Sequence, residues 1–342
     1  MAEIYKVFSP DDIIQGDLQT ISQPIWSENM NPYSSSFSSG IGFYTSSAQV
    51  SQSGDYYANI YHRDPATAVN AQIQFALAYG HRFGSGSVGD PGTVGNNAND
   101  TPSRAIYSQY RNMLLPPTDR VFTINNANAD EIIVINVARS RFRQKIDPGN
   151  WEIRIGSGST SWATNYISLI DGSGAGENSS VNAAGRIFGV YSGSGGVTAS
   201  SQQYGLFYPD QGVIILHAGY LRTNAGIPFN SASAVQARNH VTMSARIAGA
   251  SYFAARSEEK VTSTHFFVRI TNSQFNFSNN PTFVTGSTGT FLHPSMLRNP
   301  SVYVTTIGMY DNMNRLLAVA KLSKPLLKSF NREALIKVKL DY

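Results

Sequence analysis

The chain has 342 residues, no cysteine, 14% charged residues, 11% aromatics and 29 glycines. It is too long for a disulfide-stapled mini-protein, and without a thiol it has no disulfide, cysteine-ligated zinc or cysteine nucleophile. At 41% hydrophobic residues it can bury a core, which excludes wholesale disorder. The charged fraction is well below the ~25% of an ordinary soluble domain. Ser, Thr, Asn and Gly supply the polar surface instead, a mix suited to a β-rich chain whose surface is covered by partners.

The net charge of +4 is unevenly placed. From Ser301 onward there are seven basic residues (Arg315, Lys321, Lys324, Lys328, Arg332, Lys337, Lys339) and three acidic ones (Asp311, Glu333, Asp341). The preceding residues are therefore neutral as a group. A basic terminal segment can be a nucleic-acid footprint, but spaced lysines are more often the solvated face of strands, and nucleic acid is not expected as a partner. Met1-Ala2-Glu3-Ile4-Tyr5-Lys6 lacks the pattern of a signal peptide. The longest apolar runs, Ile132 to Ala138 and Val213 to Leu216, fall far short of the ~20 residues that span a bilayer. No membrane association is expected, and the chain reads as one made and used in soluble form.

Residues 1–58 show no steady period but are studded with aromatics. They read either as an extended arm lying on another surface or as an irregular first lobe of the same domain. In the arm reading, Trp26, Tyr33, Phe37, Phe43 and Tyr44 are the candidate assembly contacts. A mainly β body with Gly/Ser-rich loops is expected over 59–300, and C-terminal strands over 301–342 complete its sheet.

Asp64-Pro65-Ala66-Thr67 has the character of a helix start. The alternation of Ile73, Phe75, Leu77 and Tyr79 nonetheless predicts a strand over 73–79. Gly84 to Asn99 is a Gly/Asn/Ser-rich loop. A cap and a proline at Thr101-Pro102-Ser103, with Ile106, Tyr110, Met113 and Leu114 on one face, predict one short helix near 103–115, ended by Pro116 and Pro117. Short strands are then predicted at 132–137, 151–155, 166–170, 187–191, 212–216 and 264–270, with Gly/Ser turns between several of them. Asn230 to Phe253 reads both ways, with room for a helix inside 234–250. Strands at 303–310 and 315–322 flank the turn Asp311-Asn312-Met313-Asn314. A closing strand over 334–342 turns Ile336, Val338 and Leu340 inward and Lys337, Lys339 and Asp341 outward. The expected fold is mainly β: a β-sandwich or barrel-like body, a C-terminal hairpin and a closing strand.

Site chemistry is sparse. Gly84-Ser85-Gly86-Ser87-Val88-Gly89 matches G-x-G-x-x-G, but Asp90-Pro91-Gly92 follows where a dinucleotide site needs a helix. The six histidines (His62, His81, His217, His240, His265, His293) show no i, i+3 or i+4 pairing. Asp11-Asp12, Asp130-Glu131 and Ser257-Glu258-Glu259-Lys260 read as solvated turn or cap positions. No catalytic residue, metal or cofactor is expected, and the chain does not read as an enzyme.

The stretch Val302 to Leu322, with its Gly308-Met309-Tyr310-Asp311 and Leu316-Leu317-Ala318-Val319 around a short turn, resembles tail and baseplate proteins of T4-like contractile-tailed bacteriophages. Lys324-Pro325 to Tyr342 continues the likeness. Tyr61-His62-Arg63-Asp64-Pro65 through Ala78-Tyr79-Gly80-His81, and Pro102 to Tyr107, look like virion structural proteins of such phages from marine cyanobacteria. The resemblance implies a structural protein of the virion, in the tail or baseplate, assembled in the host cytoplasm with other phage virion proteins. It fits a homo-oligomer or symmetric multi-copy ring. It brings no catalytic residues. A lack of cysteine suits assembly in a reducing cytoplasm, and abundant Tyr and Phe suit interfaces. The alternatives are a fibre-attachment adaptor or receptor- or glycan-binding tail protein, and a neck- or head-associated structural protein.

Overall fold

The structure, a computed structural model, describes residues 5–27, 44–45, 57–84, 103–159, 161–177, 179–230, 239–277, 283–285 and 288–342. Its strands are β1 (Ile13–Pro24), β2 (Tyr44–Thr45), β3 (Tyr57–Tyr61), β4 (Ile73–His81), β5 (Phe122–Ile124), β6 (Ala127–Ala129), β7 (Glu131–Val137), β8 (Lys145–Gly156), β9 (Tyr166–Asp171), β10 (Ser180–Asn182), β11 (Gly185–Ser194), β12 (Val197–Tyr208), β13 (Val213–His217), β14 (Phe253–Ile270), β15 (Val284–Thr285), β16 (Thr290–Phe291), β17 (Ser301–Tyr310), β18 (Leu316–Ser329) and β19 (Ala334–Asp341). The α-helices are α1 (Ser103–Leu114), α2 (Ala218–Ala225), α3 (Asn239–Ala250) and the single turn α4 (Ser295–Arg298). The chain is mainly β, as its patterning implies. It divides into two compact units, residues 21–259 and residues 1–20 with 260–342. Both divisions fall inside strands, β1 and β14, and not at the expected positions near 58 and 300.

In the 21–259 unit, strands pair antiparallel in the order β14-β8-β9-β11-β12-β13-β7-β4-β3-β2, with β10 added on β11. Side chains alternate across this sheet, and where both faces are covered a continuous apolar run results. Ile133, Ile135 and Val137 of β7 enter one core with Phe75 and Leu77 of β4 and Ile214 and Leu216 of β13. Ile132 and Val134 enter a second core with Ile106, Tyr107 and Leu114 of α1 and Phe122 of β5. Tyr107 ties helix to hairpin: its hydroxyl donates to the Ala129 carbonyl at 2.9 Å and accepts from the Phe122 N–H at 3.2 Å. Met113, assigned by periodicity to the buried face of α1, stands at its edge and is exposed, and Tyr107 is buried instead.

The first core also collects Trp151, Ile153 and Ile155 of β8, Leu169 of β9 and Val190 of β11. The sheet curls round it until β4 and β14, far apart in pairing order, meet through Phe75 and Phe253 at 5.2 Å between ring centroids. The expected body is one large antiparallel sheet, with no pairing among the described strands that closes it into a barrel. α3 falls inside 234–250, where the sequence leaves room for a helix, whereas α2 has no counterpart among the predicted elements. His217 caps α2, its Nδ1 accepting the Gly219 N–H at 3.1 Å, and Gly226 ends it at φ 62°, the left-handed conformation favoured by glycine. Asp64-Pro65 starts a turn closed by the Ala68 N–H on the Asp64 carbonyl at 2.9 Å, not a helix.

In the other unit, residues 263–270 of β14 pair antiparallel with β19, Phe266 opposite Val338 and Val268 opposite Ile336. The hairpin β17–β18 lays Val304, Ile307, Met309, Ala320 and Leu322 over this pair, with Phe8 and Phe275. The alternation read for the closing strand is the one adopted: Ile336 and Val338 are buried and Lys337 and Lys339 exposed.

Three carboxylates of this unit sit below the ordinary value of 3.8: Asp12 through the Ser9 N–H and hydroxyl and Arg269, Asp311 through the Arg315 N–H and guanidinium, and Asp341 through the Ser263 hydroxyl and Lys339. A lowered native pKa contributes stability above 3.8 that is lost as pH falls through the native value. Amide exchange in β17 and β19, compared at equal intrinsic rate, is expected to accelerate as pH falls from about 5 through the lowered native values. A variant with Asp12, Asp311 and Asp341 all changed to Asn should show a flatter dependence, and equal slopes would refute the assignment.

Candidate assembly surface

The outward face of the β17–β18 hairpin is the largest run of exposed apolar side chains within one described element pair. Tyr303 is 66% exposed, Leu317 67%, Val319 59% and Met313, in the turn, 76%. The sequence places them there through a register shift. Pairing slips between Val304 and Thr306, so Thr305 and Thr306 both face out and Ile307 and Met309 return to the inner face. Gly308 leaves room beside it, since a Cβ there would lie 2.9 Å from the Tyr310 ring and 3.3 Å from the Leu316 side chain. The turn forms as its residues predict: the Asn314 N–H meets the Asp311 carbonyl at 3.0 Å, Asn314 takes φ 61°, and the Asp311 carboxylate accepts the Met313 and Arg315 N–H groups at 2.9 and 2.8 Å.

The base of the hairpin is pinned by a fully buried lysine. Lys328 Nζ donates to the Asn272 carbonyl at 3.0 Å, Asn276 Oδ1 at 2.8 Å and the Ser329 carbonyl at 3.1 Å. Burial pushes its pKa down, against the opposing pull of Glu333. The two strands differ in chemistry. β18 carries Lys321, Lys324 and Pro325, whereas β17 has no charge and no proline. The unit that holds the hairpin contains eleven Lys and Arg against seven Asp and Glu, while residues 21–259 balance at fifteen of each.

The candidate contacts read from the N-terminal aromatics are only partly within view. Trp26 is 4% exposed, packed against Phe75 and Phe253, and its Nε1–H donates to the Phe253 carbonyl at 2.5 Å. It belongs to the chain's own core because its indole has both an apolar slot and a backbone acceptor there. Tyr33, Phe37 and Phe43 lie outside the described residues, and Tyr44 is placed by its backbone in β2, opposite Tyr61. The Gly-rich match beginning at Gly84 also runs outside them from residue 85.

Sequence spacing hid one polar cluster that strand pairing brings together. His81 lies opposite Glu131 across β4 and β7, and His217 opposite Ile132 across β13 and β7. Glu131, read as a solvated position, accepts the Tyr79 hydroxyl at 3.1 Å and the Arg222 guanidinium. Desolvation, reinforced by Glu131, pushes the Tyr79 hydroxyl far above its ordinary value. The His81 and His217 Nδ1 atoms accept backbone N–H groups of Phe83 and Gly219, and burial lowers both pKa values against the opposing pull of Glu131. These partners make the cluster a structural tie at one end of the sheet. Glu258, also read as solvated, is buried mid-strand and paired with Lys145 at 3.0 Å. Among the described residues no three His, Asp or Glu are arranged to hold a metal ion, and no helix is long and apolar enough to cross a membrane.

The fold and this surface define a mainly β protein with an exposed apolar hairpin. No protein-family model, curated protein or solved structure matches the chain.

Proposed function

We propose that the chain is a non-enzymatic structural protein of a contractile-tailed phage virion, placed in the tail or baseplate and working by protein–protein assembly. The observation that carries this reading is the outward face of the β17–β18 hairpin. A hairpin that exposes Tyr303, Leu317, Val319 and Met313 together leaves apolar area in water that burial against a partner would stabilise by ~25 cal/mol per Å². The same residues fall in the stretch, Val302 to Leu322, whose sequence resembles phage tail and baseplate proteins. Tyr and Met are favoured at such interfaces, where charged residues are depleted from the core.

Changing Leu317 and Val319 together to Asp tests the reading. Both side chains point away from the inner core, so the chain should fold and keep its circular dichroism spectrum. Its copy number in purified virions, measured by quantitative mass spectrometry against the unaltered protein, should fall at least about tenfold, the effect of losing one interface hot spot. Incorporation at the unaltered level would sink the proposal. Binding of the purified chain to host envelope polysaccharide, with incorporation unaffected by these changes, would favour a receptor-binding role instead.

A further inference from the structure

Beside β17 runs a groove of about 760 Å³, within the ~300–1,000 Å³ range of ligand-sized clefts. One wall is the unbroken run Thr306 to Asn312, so the groove follows the edge of the strand and not a single face of it. The opposite wall is Tyr5 to Phe8, and the floor is Val268, Ile270 and Phe275. The Tyr5 and Tyr310 rings meet at 5.3 Å between centroids across it. β17 and β18 form a two-stranded sheet, which leaves the outer edge of β17 without a strand partner among the described residues. Lysines and a proline guard the other strand, as proteins commonly guard edges. The long, uncharged, β-branched edge of β17 has no such protection among the described residues.

We infer that this groove accepts an extended, acidic segment of a neighbouring protein, apolar at alternate positions, as a third strand on β17. The inference rests on the assembly role proposed above and names the kind of partner. Charge selects the occupant. Lys6 and Asp311 both line the groove, Arg315 pairs with the Asp311 carboxylate at 2.7 Å, and the surrounding unit carries the whole net positive charge. A second copy would bring the same positive unit against this one. A single added strand would lie ~4.8 Å from β17. Main-chain hydrogen bonds to the β17 edge would supply affinity, and alternate side chains on the apolar floor would supply specificity.

The test uses the full chain and a synthetic peptide of about nine residues, a common strand length, alternating Val or Ile with Glu and Thr. Three controls accompany it: the same peptide with Lys for Glu, the same peptide N-methylated at alternate backbone nitrogens, and the Lys6→Glu chain. Hydrogen exchange by mass spectrometry should show the acidic peptide protecting residues 303–310. Calorimetry should show weaker binding of the basic and N-methylated peptides, and weaker binding of the acidic peptide to Lys6→Glu by about fivefold. Absence of protection in β17, or equal binding of the acidic and N-methylated peptides, or of the acidic and basic peptides, overturns the inference. If that happens while Leu317 and Val319 still govern incorporation into virions, the docking strand fails and the assembly role stands.

Discussion

Replacing Phe253 by alanine is expected to lower the unfolding free energy of the 21–259 unit by about 4 kcal/mol. Phe253 is 1% exposed and begins β14, opposite Ile153 of β8. Its ring meets Trp26 at 4.8 Å and Phe75 at 5.2 Å, and its carbonyl holds the Trp26 indole N–H. Truncation removes a large apolar side chain and two aromatic contacts of ~0.5–1.5 kcal/mol each. It also opens a cavity where strands distant in pairing order meet, so neighbouring side chains cannot close it without moving two parts of the sheet. Phe253→Leu keeps most of the volume and should cost about 1.5 kcal/mol or less. Denaturant unfolding followed by tryptophan fluorescence measures both. An alanine variant within about 1 kcal/mol of the original would mean that this aromatic group does not hold the sheet in its curled form.

The Lys328→Met variant is expected to destabilise the hairpin's unit by about 3 kcal/mol, although methionine preserves most of the side-chain length. Lys328 is 0% exposed, and its ammonium serves three neutral acceptors. Removing the donor leaves those acceptors without it in a site that water does not reach, and each orphaned group costs ~1–3 kcal/mol before local relaxation. Amide exchange through β17 and β18 should quicken, while exchange in β7 and β13 should not. There is also a pH signature. Burial holds the native pKa below the ordinary 10.5, so in the alkaline range the unfolded chain binds more protons than the native one. Native stability therefore gains a favourable contribution as pH rises from the native value toward 10.5. The Met variant lacks that gain. Parallel pH profiles for the two proteins would show that Lys328 is not the buried cation described here.

Local chemistry made several elements legible before any tertiary contact was known. α1 is announced by its cap, its proline and its apolar stripe, and the Asp311–Asn314 turn by residues that bond their own backbone and tolerate positive φ. β19 shows a clean period of two because one face is buried and the other wet. The same reasoning fails where burial is two-sided. Glu152 alternates with Trp151 and Ile153 as an outward residue would, yet it is buried and accepts from Ser168 at 2.6 Å, Arg154 at 3.2 Å and the Gly195 N–H at 3.1 Å. Glu258 lies in a run of polar residues that looks like a turn, and the pairing of β14 with β8 overrides that appearance.

The assembly surface is divided in the same way. The hairpin, its turn and its concentration of charge follow from residues adjacent in the chain, and these can be read directly. Which of its apolar residues face outward depends on the register shift after Val304, a choice made by packing against β14 and β19. Trp26 shows the converse: an aromatic in an aperiodic, weakly charged segment reads as an anchor for another surface, and only the contact with Phe75 and Phe253 identifies it as core. Low overall charge, the missing cysteines and the mainly β class belong to the sequence alone, because composition and period depend on local propensity and solvation. The place of the unit boundaries inside β1 and β14, the burial that lowers the His81 and His217 pKa values, and the edge of β17 that no described strand pairs were decided by tertiary structure. Each depends on partners far away in the chain, which no local pattern encodes.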